Sequence, residues 1–192
     1  MRRWCSGAVA ALIAAAVVTA GADGVRAAAD VPQPDGFRAE PYRAPVPDGL
    51  DGARVLDTPA VAALWKAGGA VFVDVLPKPP RPKLPPGTVF RLPPREDIPG
   101  SVWLPDVGYA ELSADMARYF TDNLAAATKG DHARTLVFYC LADCWMSWNA
   151  AKRALSLGYT DVVWYPEGTD GWGFEGLPVE AREPVPRPGL DE

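Results

Sequence analysis

Cys140 and Cys144, four residues apart, are the pair in this sequence best suited to chemistry. A strand is predicted over 135–139, directly before Cys140, and a helix is predicted to begin at Ser147. Ligands and catalytic groups gather where parallel strands end and helices begin, so this loop lies where a site is expected. Backbone N–H groups at a helix start favour an anion and lower the pKa of a thiol there. The pair therefore suits a nucleophile, a redox couple or a soft metal site.

Three interpretations of the pair are open. In a reversible dithiol/disulfide, an exposed Cys140 would attack and Cys144 would resolve the mixed disulfide. In the second interpretation, a disulfide between the two residues only stiffens the loop. In the third, the two thiolates bind Cu(I), with Met146 or His132 as a further ligand. We nevertheless expect Met146 to pack at the helix start, and His132, the sole histidine, to lie in a solvent-exposed turn.

Two tryptophans flank the cysteine loop. Trp145 and Trp148 either fill the core or present flat rings on which a planar quinone or a partner protein docks. Asp143 is predicted to be the N-cap of the helix that follows. Lys152 and Arg153 are predicted to lie on the exposed face of that helix. The two cysteines are thus the candidate catalytic residues, and the two tryptophans are the candidate cofactor-binding residues.

Residues 1–29 have the pattern of a secretory signal peptide. Two arginines give a basic start, an almost uninterrupted apolar run covers 8–18, and small-x-small cleavage sites follow. We therefore expect the protein to be secreted, and no later segment is apolar enough to span a membrane. Removing this leader takes away one cysteine, three arginines and one aspartate, which changes the formal net charge from −5 to −7. The acidic balance argues against a nucleic-acid-binding protein.

Helix and strand signals alternate along the rest of the chain, which predicts a three-layer α/β domain with a central parallel sheet. Thr58 is predicted to cap the first helix and Ser113 the second. Asp74 and Asp97 are expected to accept hydrogen bonds from backbone amides at strand and loop ends. Helices are predicted over 58–65, 113–127 and 147–157, and strands over 70–75, 98–104, 135–139 and 161–165.

Proline-rich segments surround and interrupt this domain, which is predicted over 57–180. An extended arm is predicted over 30–56, and a Pro-rich tail over 181–192. Residues 77–95 hold eight prolines and several basic residues. A central strand cannot pass through such a run, so this segment is predicted to be a surface insertion.

Several short motifs resemble the rhodanese-like domain in order and spacing: Phe-Val-Asp at 72–74, Asp-Ile-Pro-Gly-Ser at 97–101, Tyr-Cys at 139–140 and Leu-Gly-Tyr at 157–159. Residues 140–153 also resemble the exported CxxCW-motif proteins associated with pyrroloquinoline-quinone (PQQ)-dependent alcohol catabolism. The resemblance implies a rhodanese-like fold, a periplasmic setting and binding of a redox cofactor such as a quinone. It also implies a partner such as a periplasmic quinoprotein dehydrogenase or an alcohol-transport component.

The sequence departs from both patterns near the cysteines. The spacing is C-x-x-x-C-W, one residue longer than the CxxCW name. Leu76 and Pro77 stand where rhodaneses carry a basic residue after the strand aspartate, and no Arg or Lys lies between Cys140 and Ser147. A loop with a carboxylate and no cation is a poor cradle for an anion. We therefore expect negligible thiosulfate sulfur transfer.

The resemblance implies a periplasmic accessory protein of PQQ-dependent alcohol catabolism, and the residues predict that it acts through the Cys140/Cys144 loop, by thiol redox chemistry or by binding a redox cofactor. The alternatives are a non-catalytic binding module with a structural disulfide and a periplasmic copper-binding protein. Whether the protein is an enzyme is left open by the residues.

Overall fold

The computed structural model describes residues 31–79, 82–85, 87–89, 91 and 94–187. The predicted signal peptide, parts of the predicted insertion and the last five residues of the predicted tail lie outside the described residues. In the described part of the chain, no helix is long and apolar enough to cross a bilayer.

A five-stranded parallel sheet forms the centre of the fold, as the sequence predicts. In spatial order its strands are β1 (Arg54–Val55), β6 (Val162–Trp164), β5 (Leu136–Tyr139), β2 (Val71–Asp74) and β4 (Val102–Trp103). A second, antiparallel sheet joins β3 (Arg95–Asp97) to β7 (Glu180–Arg182). In the main sheet Asp74 pairs with both Tyr139 and Trp103. The carboxyl ends of β2, β4 and β5 therefore meet at one edge, where ligands bind in parallel sheets.

Helices cover both faces of this sheet, which confirms the three-layer architecture. One face packs against α1 (Thr58–Ala67) and α4 (Gly168–Phe174), and the other against α2 (Ala114–Thr128) and α3 (Trp145–Ser156). Strand β5 is buried on both sides and its side chains alternate between the two cores. Leu136 and Phe138 face α2 and α3, whereas Val137 and Tyr139 face α1 and α4.

Two helix starts differ from the prediction. Asp57, not Thr58, caps α1, because its carboxylate accepts a hydrogen bond from a first-turn N–H at 3.0 Å. Helix α3 begins two residues earlier than predicted, at Trp145, and Cys144 takes the N-cap position without a side-chain hydrogen bond. Asp143 is exposed, with a φ of 51°. Its predicted N-cap role is therefore wrong.

The antiparallel pair of β3 and β7 was not among the predicted elements. Strand β3 begins at the last residue of the predicted insertion, and β7 begins at the last residue of the predicted domain. Strand β1 comes from the end of the predicted arm and pairs with β6 at the edge of the main sheet. The rest of the described arm, residues 31–53, contains no helix and pairs with the domain through one isolated bridge, Arg43 with Cys144.

Candidate functional site

Cys140 and Cys144 form a disulfide, with their Cα atoms 6.5 Å apart. Cys140 directly follows β5, and Cys144 directly precedes α3. The bond therefore closes the turn from strand to helix, at the edge of the sheet where the sequence places the site. The structure brings the two candidate catalytic residues together.

The disulfide is buried. Cys140 has no exposed surface, and Cys144 exposes 3% of its surface. Between them, Leu141 and Ala142 are half-buried and Asp143 is exposed. The prediction of an exposed Cys140 is therefore wrong, because its side chain is part of the hydrophobic core that α2 and α3 cover. Its attacking role stays a prediction.

The arm, residues 31–53, crosses the cysteine loop as an extended chain. The Ala44 N–H donates to Asp143 O at 3.1 Å, and the Trp145 N–H donates to Tyr42 O at 2.9 Å. Between these two bonds the arm forms its antiparallel bridge to Cys144. The backbone of the arm thus pairs with the cysteine loop like a short strand, directly at the disulfide.

Both tryptophans after Cys144 hold the arm. The indole N–H groups of Trp145 and Trp148 donate to Pro45 O and Gly49 O, each at 3.1 Å. Trp145 exposes 3% of its surface and Trp148 none. A quinone cannot stack on either ring in this conformation, so the cofactor-binding role of the two residues stays a prediction that requires the arm to move.

Three further polar residues of α3 form hydrogen bonds with the arm or with the loop at 107–110. Asn149 accepts from the Arg38 N–H at 2.9 Å and donates to Arg38 O at 2.8 Å. Lys152 donates to two arm carbonyls at 2.7 Å each. Arg153 donates to three carbonyls within 107–110 at 2.7–3.2 Å, and burial lowers its pKa to about 10. The prediction that Lys152 and Arg153 form an exposed face is therefore wrong, because both side chains are half-buried and donate hydrogen bonds to backbone carbonyls.

The start of α4 fixes the other side of the cysteine loop. Cys140 O accepts from the Thr169 N–H at 2.9 Å and from the Thr169 hydroxyl at 3.2 Å. The Asp170 carboxylate accepts from the Ala142 N–H at 3.0 Å. Gly168 has a φ of 54°, and a Cβ there would lie 2.5 Å from Cys140 O, so glycine is required. The loop is thus held between the arm and α4.

Arg95 supplies a cation that the loop itself lacks. Its Nη2 donates to the Thr169 hydroxyl at 3.0 Å, and its Nε donates to Asp74 at 2.7 Å. Asp97 lies 3.8 Å from the same Nε and accepts from the buried Tyr139 hydroxyl at 2.8 Å. Arg95 is therefore one side chain away from Cys140 O. Sequence reasoning missed it, because 20 residues of mostly proline-rich chain, 75–94, separate it from Asp74.

Asp74 and Asp97 share this one arginine. Burial, followed by the negative charge of Asp74, raises the pKa of Asp97 to about 8. Burial also raises the pKa of the Tyr139 hydroxyl. Asp74 accepts from the Leu76 N–H at 2.8 Å, as predicted for a strand-end carboxylate. Asp97 bonds instead to the Tyr139 side chain, and its other oxygen has no hydrogen-bond partner in the described part of the chain.

The order of these elements and the place of the cysteine match a known family. A family model for the rhodanese-like domain matches residues 60–175, more than half of the chain. The chain belongs to the rhodanese-like family. None of the curated proteins compared with the chain matches it.

Solved structures resemble this rhodanese-like protein at low sequence identity. A thiosulfate sulfurtransferase from Pseudomonas aeruginosa is 20% identical, with a TM-score of 0.46, and the match covers 69% of this chain and 21% of that chain. This chain thus spans about a fifth of the length of that enzyme. A polysulfide-sulfur transferase homodimer from Wolinella succinogenes is 16% identical, with a TM-score of 0.43, and the match covers 69% and 81% of the two chains.

His132, a candidate copper ligand, does not lie beside the cysteines of this rhodanese-like protein. His132 is exposed, as predicted, and lies before β5, at the opposite end of that strand from Cys140. Its ring stacks on Tyr159 with centroids 4.5 Å apart. Met146 is buried at the start of α3, also as predicted. Among the described residues, no group of three or more His, Cys, Asp or Glu side chains is placed to hold a metal ion.

Proposed function

We propose that this rhodanese-like protein is a periplasmic accessory protein that exchanges electrons with the thiols of a partner protein through the Cys140–Cys144 disulfide. The observation that carries the proposal is the bond itself, at the turn from β5 to α3, where the fold gathers its reactive groups. The signal-peptide pattern of residues 1–29 supports the periplasmic setting. The resemblance of 140–153 to the CxxCW-motif proteins supports a role in PQQ-dependent alcohol catabolism, with a quinoprotein dehydrogenase or an alcohol-transport component as the partner.

The exchange takes two steps. A partner thiolate attacks Cys140 Sγ, the Cys140–Cys144 bond breaks, and Cys144 leaves as a thiolate at the N-terminus of α3, where backbone N–H groups favour negative charge. The second partner thiol then attacks the partner sulfur of the mixed disulfide and releases Cys140. The partner dithiol loses two electrons and two protons, and Cys140 and Cys144 end as two thiols. In the reverse direction Cys140 attacks and Cys144 resolves.

The arm controls access to this chemistry. Both cysteines are buried, and the arm is bonded through Tyr42 and Ala44 on either side of Cys144, so we expect the arm to leave the loop before a partner thiol reaches the sulfurs. Opening breaks two main-chain bonds and separates the arm from the two indole donors. The rate of thiol exchange in the folded protein is therefore set by arm opening, and contacts of the arm far from the sulfurs should change that rate.

The reduction potential of the pair tests the proposal. The full protein is equilibrated with glutathione or dithiothreitol buffers, and free cysteines are counted by alkylation and mass spectrometry. We expect a potential above about −300 mV, the range of labile and catalytic disulfides. The double variant Cys140→Ser/Cys144→Ser is the control, because it has no loop cysteine to be alkylated. A potential below about −300 mV would contradict the proposal.

Single cysteine variants test the order of the steps. Cys144→Ser keeps Cys140 and removes the resolving thiol, so in the reverse direction its Cys140 thiolate attacks a partner disulfide, one partner thiolate leaves, and the mixed disulfide should accumulate. Cys140→Ser is the matched control and should accumulate fewer of them. Equal trapping by both variants would contradict the assigned order.

The loop also argues against ordinary sulfurtransferase chemistry. No Arg or Lys lies between Cys140 and Ser147, and Arg95 is committed to Asp74 and Thr169. We therefore expect negligible thiosulfate:cyanide sulfur transfer, even by the reduced protein. Robust turnover that Cys140→Ser abolishes would show that Arg95 or another cation supports the anion.

A second candidate function is a non-catalytic binding module in which the disulfide only shapes the arm-bearing surface. The burial of both sulfurs favours it. The potential measurement separates the two candidates, because a structural disulfide resists the glutathione pool.

A further inference from the structure

A cavity of about 500 Å3 opens beside the carboxyl ends of β2 and β4. Leu76, Trp103 and three prolines form its apolar wall; the prolines come from the insertion and from the segment after β7. Trp103 donates its indole N–H to Leu76 O at 2.8 Å and exposes 5% of its surface, so its ring closes the cavity and leaves Leu76 and the prolines as the apolar surface open to a ligand. Cavities of this size and character hold small molecules.

Basic residues line the same cavity: Lys78, Arg91, Arg95 and Arg182, together with the acidic Glu183. The arginines differ in their ionic partners. Arg95 bonds to Asp74, and Arg182 pairs with Glu180. Arg91 makes no ion pair with any residue that the structure describes, and it is exposed. Arg91 therefore brings to the cavity a positive charge that is not held in an ion pair with any described carboxylate.

We propose that this cavity binds a small aromatic monocarboxylate. The flat ring packs against Leu76 and the prolines, and the carboxylate accepts paired N–H bonds from the planar guanidinium of Arg91. Glu183 disfavours a second negative charge on the ligand, because like charges repel. The site lies outside the arm-covered loop, so binding does not require the arm to move and does not depend on the disulfide.

Calorimetry with 2-naphthoate and its neutral analogue 2-naphthamide tests the proposal on the full protein. We expect naphthoate to bind at least about tenfold more tightly than the amide, as a charge-assisted bidentate pair implies. Arg91→Gln should lower naphthoate affinity to that of the amide. Arg134→Gln, which changes an exposed arginine outside the cavity, should leave it unaltered.

Amide chemical shifts locate the ligand. The signals of Leu76 and Trp103 should move on addition of naphthoate, and thermal melting of Arg91→Gln should show that the variant is folded. Absence of saturable binding, equal affinity for the acid and the amide, an equal loss in Arg91→Gln and Arg134→Gln, or shifts confined to other parts of the protein would each overturn the proposal.

Discussion

Two regions at the same edge of the sheet differ in what covers them. Over the cysteine loop, the arm is bonded through its backbone and is gripped by donors from Trp145, Trp148 and Asn149, so the sulfurs are buried. Beside β2 and β4, the insertion and the segment after β7 leave a cavity of about 500 Å3. The difference shows that access to this edge is decided by segments outside the central layers, and that α3 is built to hold one of them.

Arg95 joins the two regions. It lines the cavity, and its guanidinium also donates to the Thr169 hydroxyl, which donates in turn to Cys140 O. Behind it lie the buried carboxyls of Asp74 and Asp97. The covered loop and the open cavity are therefore chemically distinct but rest on one shared ion-pair cluster.

The largest effect is expected where α3 grips the arm, in Asn149→Ala. The Asn149 side chain is fully buried and makes bonds of 2.8–2.9 Å to Arg38 and to Gly108 O. Its removal leaves the buried Gly108 O and the half-buried backbone groups of Arg38 without these partners, so the free energy of unfolding should fall by about 3 kcal/mol. Reduction of the disulfide by dithiothreitol should also accelerate, because the arm opens more often. Urea denaturation and a thiol-release assay measure the two effects.

The matched control for this variant is Asn123→Ala. Asn123 donates within α2 to Tyr119 O, away from the arm. Its replacement should lower the free energy of unfolding by less than about 1 kcal/mol and leave the rate of disulfide reduction unchanged. Loss of stability in Asn149→Ala with an unchanged reduction rate would mean that the arm does not limit access to the sulfurs.

A smaller effect is expected from breaking the bond beneath the arm. The disulfide closes a short loop, with a sequence separation of 4, so its removal in Cys140→Ala/Cys144→Ala should lower the free energy of unfolding by about 2 kcal/mol. The reduced wild-type protein should lose a similar amount, which chemical denaturation with and without reductant measures. An unaltered midpoint in both cases would show that the arm and α4 hold the loop without the bond.

How well the sequence predicted each region depended on how far apart along the chain the bonded residues lie. Local patterns were sufficient for β5, for the Ser113 cap of α2 and for the placing of Cys140 at a strand end. The course of the arm depends on bonds such as that between Arg38 and Asn149, 111 positions apart. Lys152 on a helix has the local pattern of an exposed residue, and nothing within α3 shows that arm carbonyls will meet it. Hydrophobic periodicity indicates which face of a helix is buried, but it does not indicate which distant backbone carbonyls contact that face.

The ion-pair cluster shared by the two regions predicts a pH dependence of stability. The folded-state pKa of Asp97 is raised to about 8, above its unfolded value near 4, so unfolding releases a proton between these values. The stabilisation is complete below the unfolded pKa and is lost as the pH rises through the folded pKa. From pH 7 to pH 8 the free energy of unfolding should fall by about 1 kcal/mol. Asp97→Asn, which cannot ionise, should flatten this slope in denaturation measured at several pH values, whereas Asp122→Asn on the surface of α2 should keep it.

The smallest effect is expected from the one ion pair between the arm and α4, in Arg43→Gln. The Arg43 guanidinium and the Asp170 carboxylate are 4.0 Å apart, with 57% and 50% of their side-chain surfaces exposed. Water and salt screen such a pair, so the variant should lose less than about 0.5 kcal/mol of unfolding free energy, and the disulfide should be reduced at the wild-type rate. If Arg43→Gln instead accelerated reduction as much as Asn149→Ala, then charge would hold the arm down. In that case the arm should leave the cysteine loop more often as the salt concentration rises. The cysteine loop would then differ from the open cavity because an ion pair covers it, and not because of backbone hydrogen bonds.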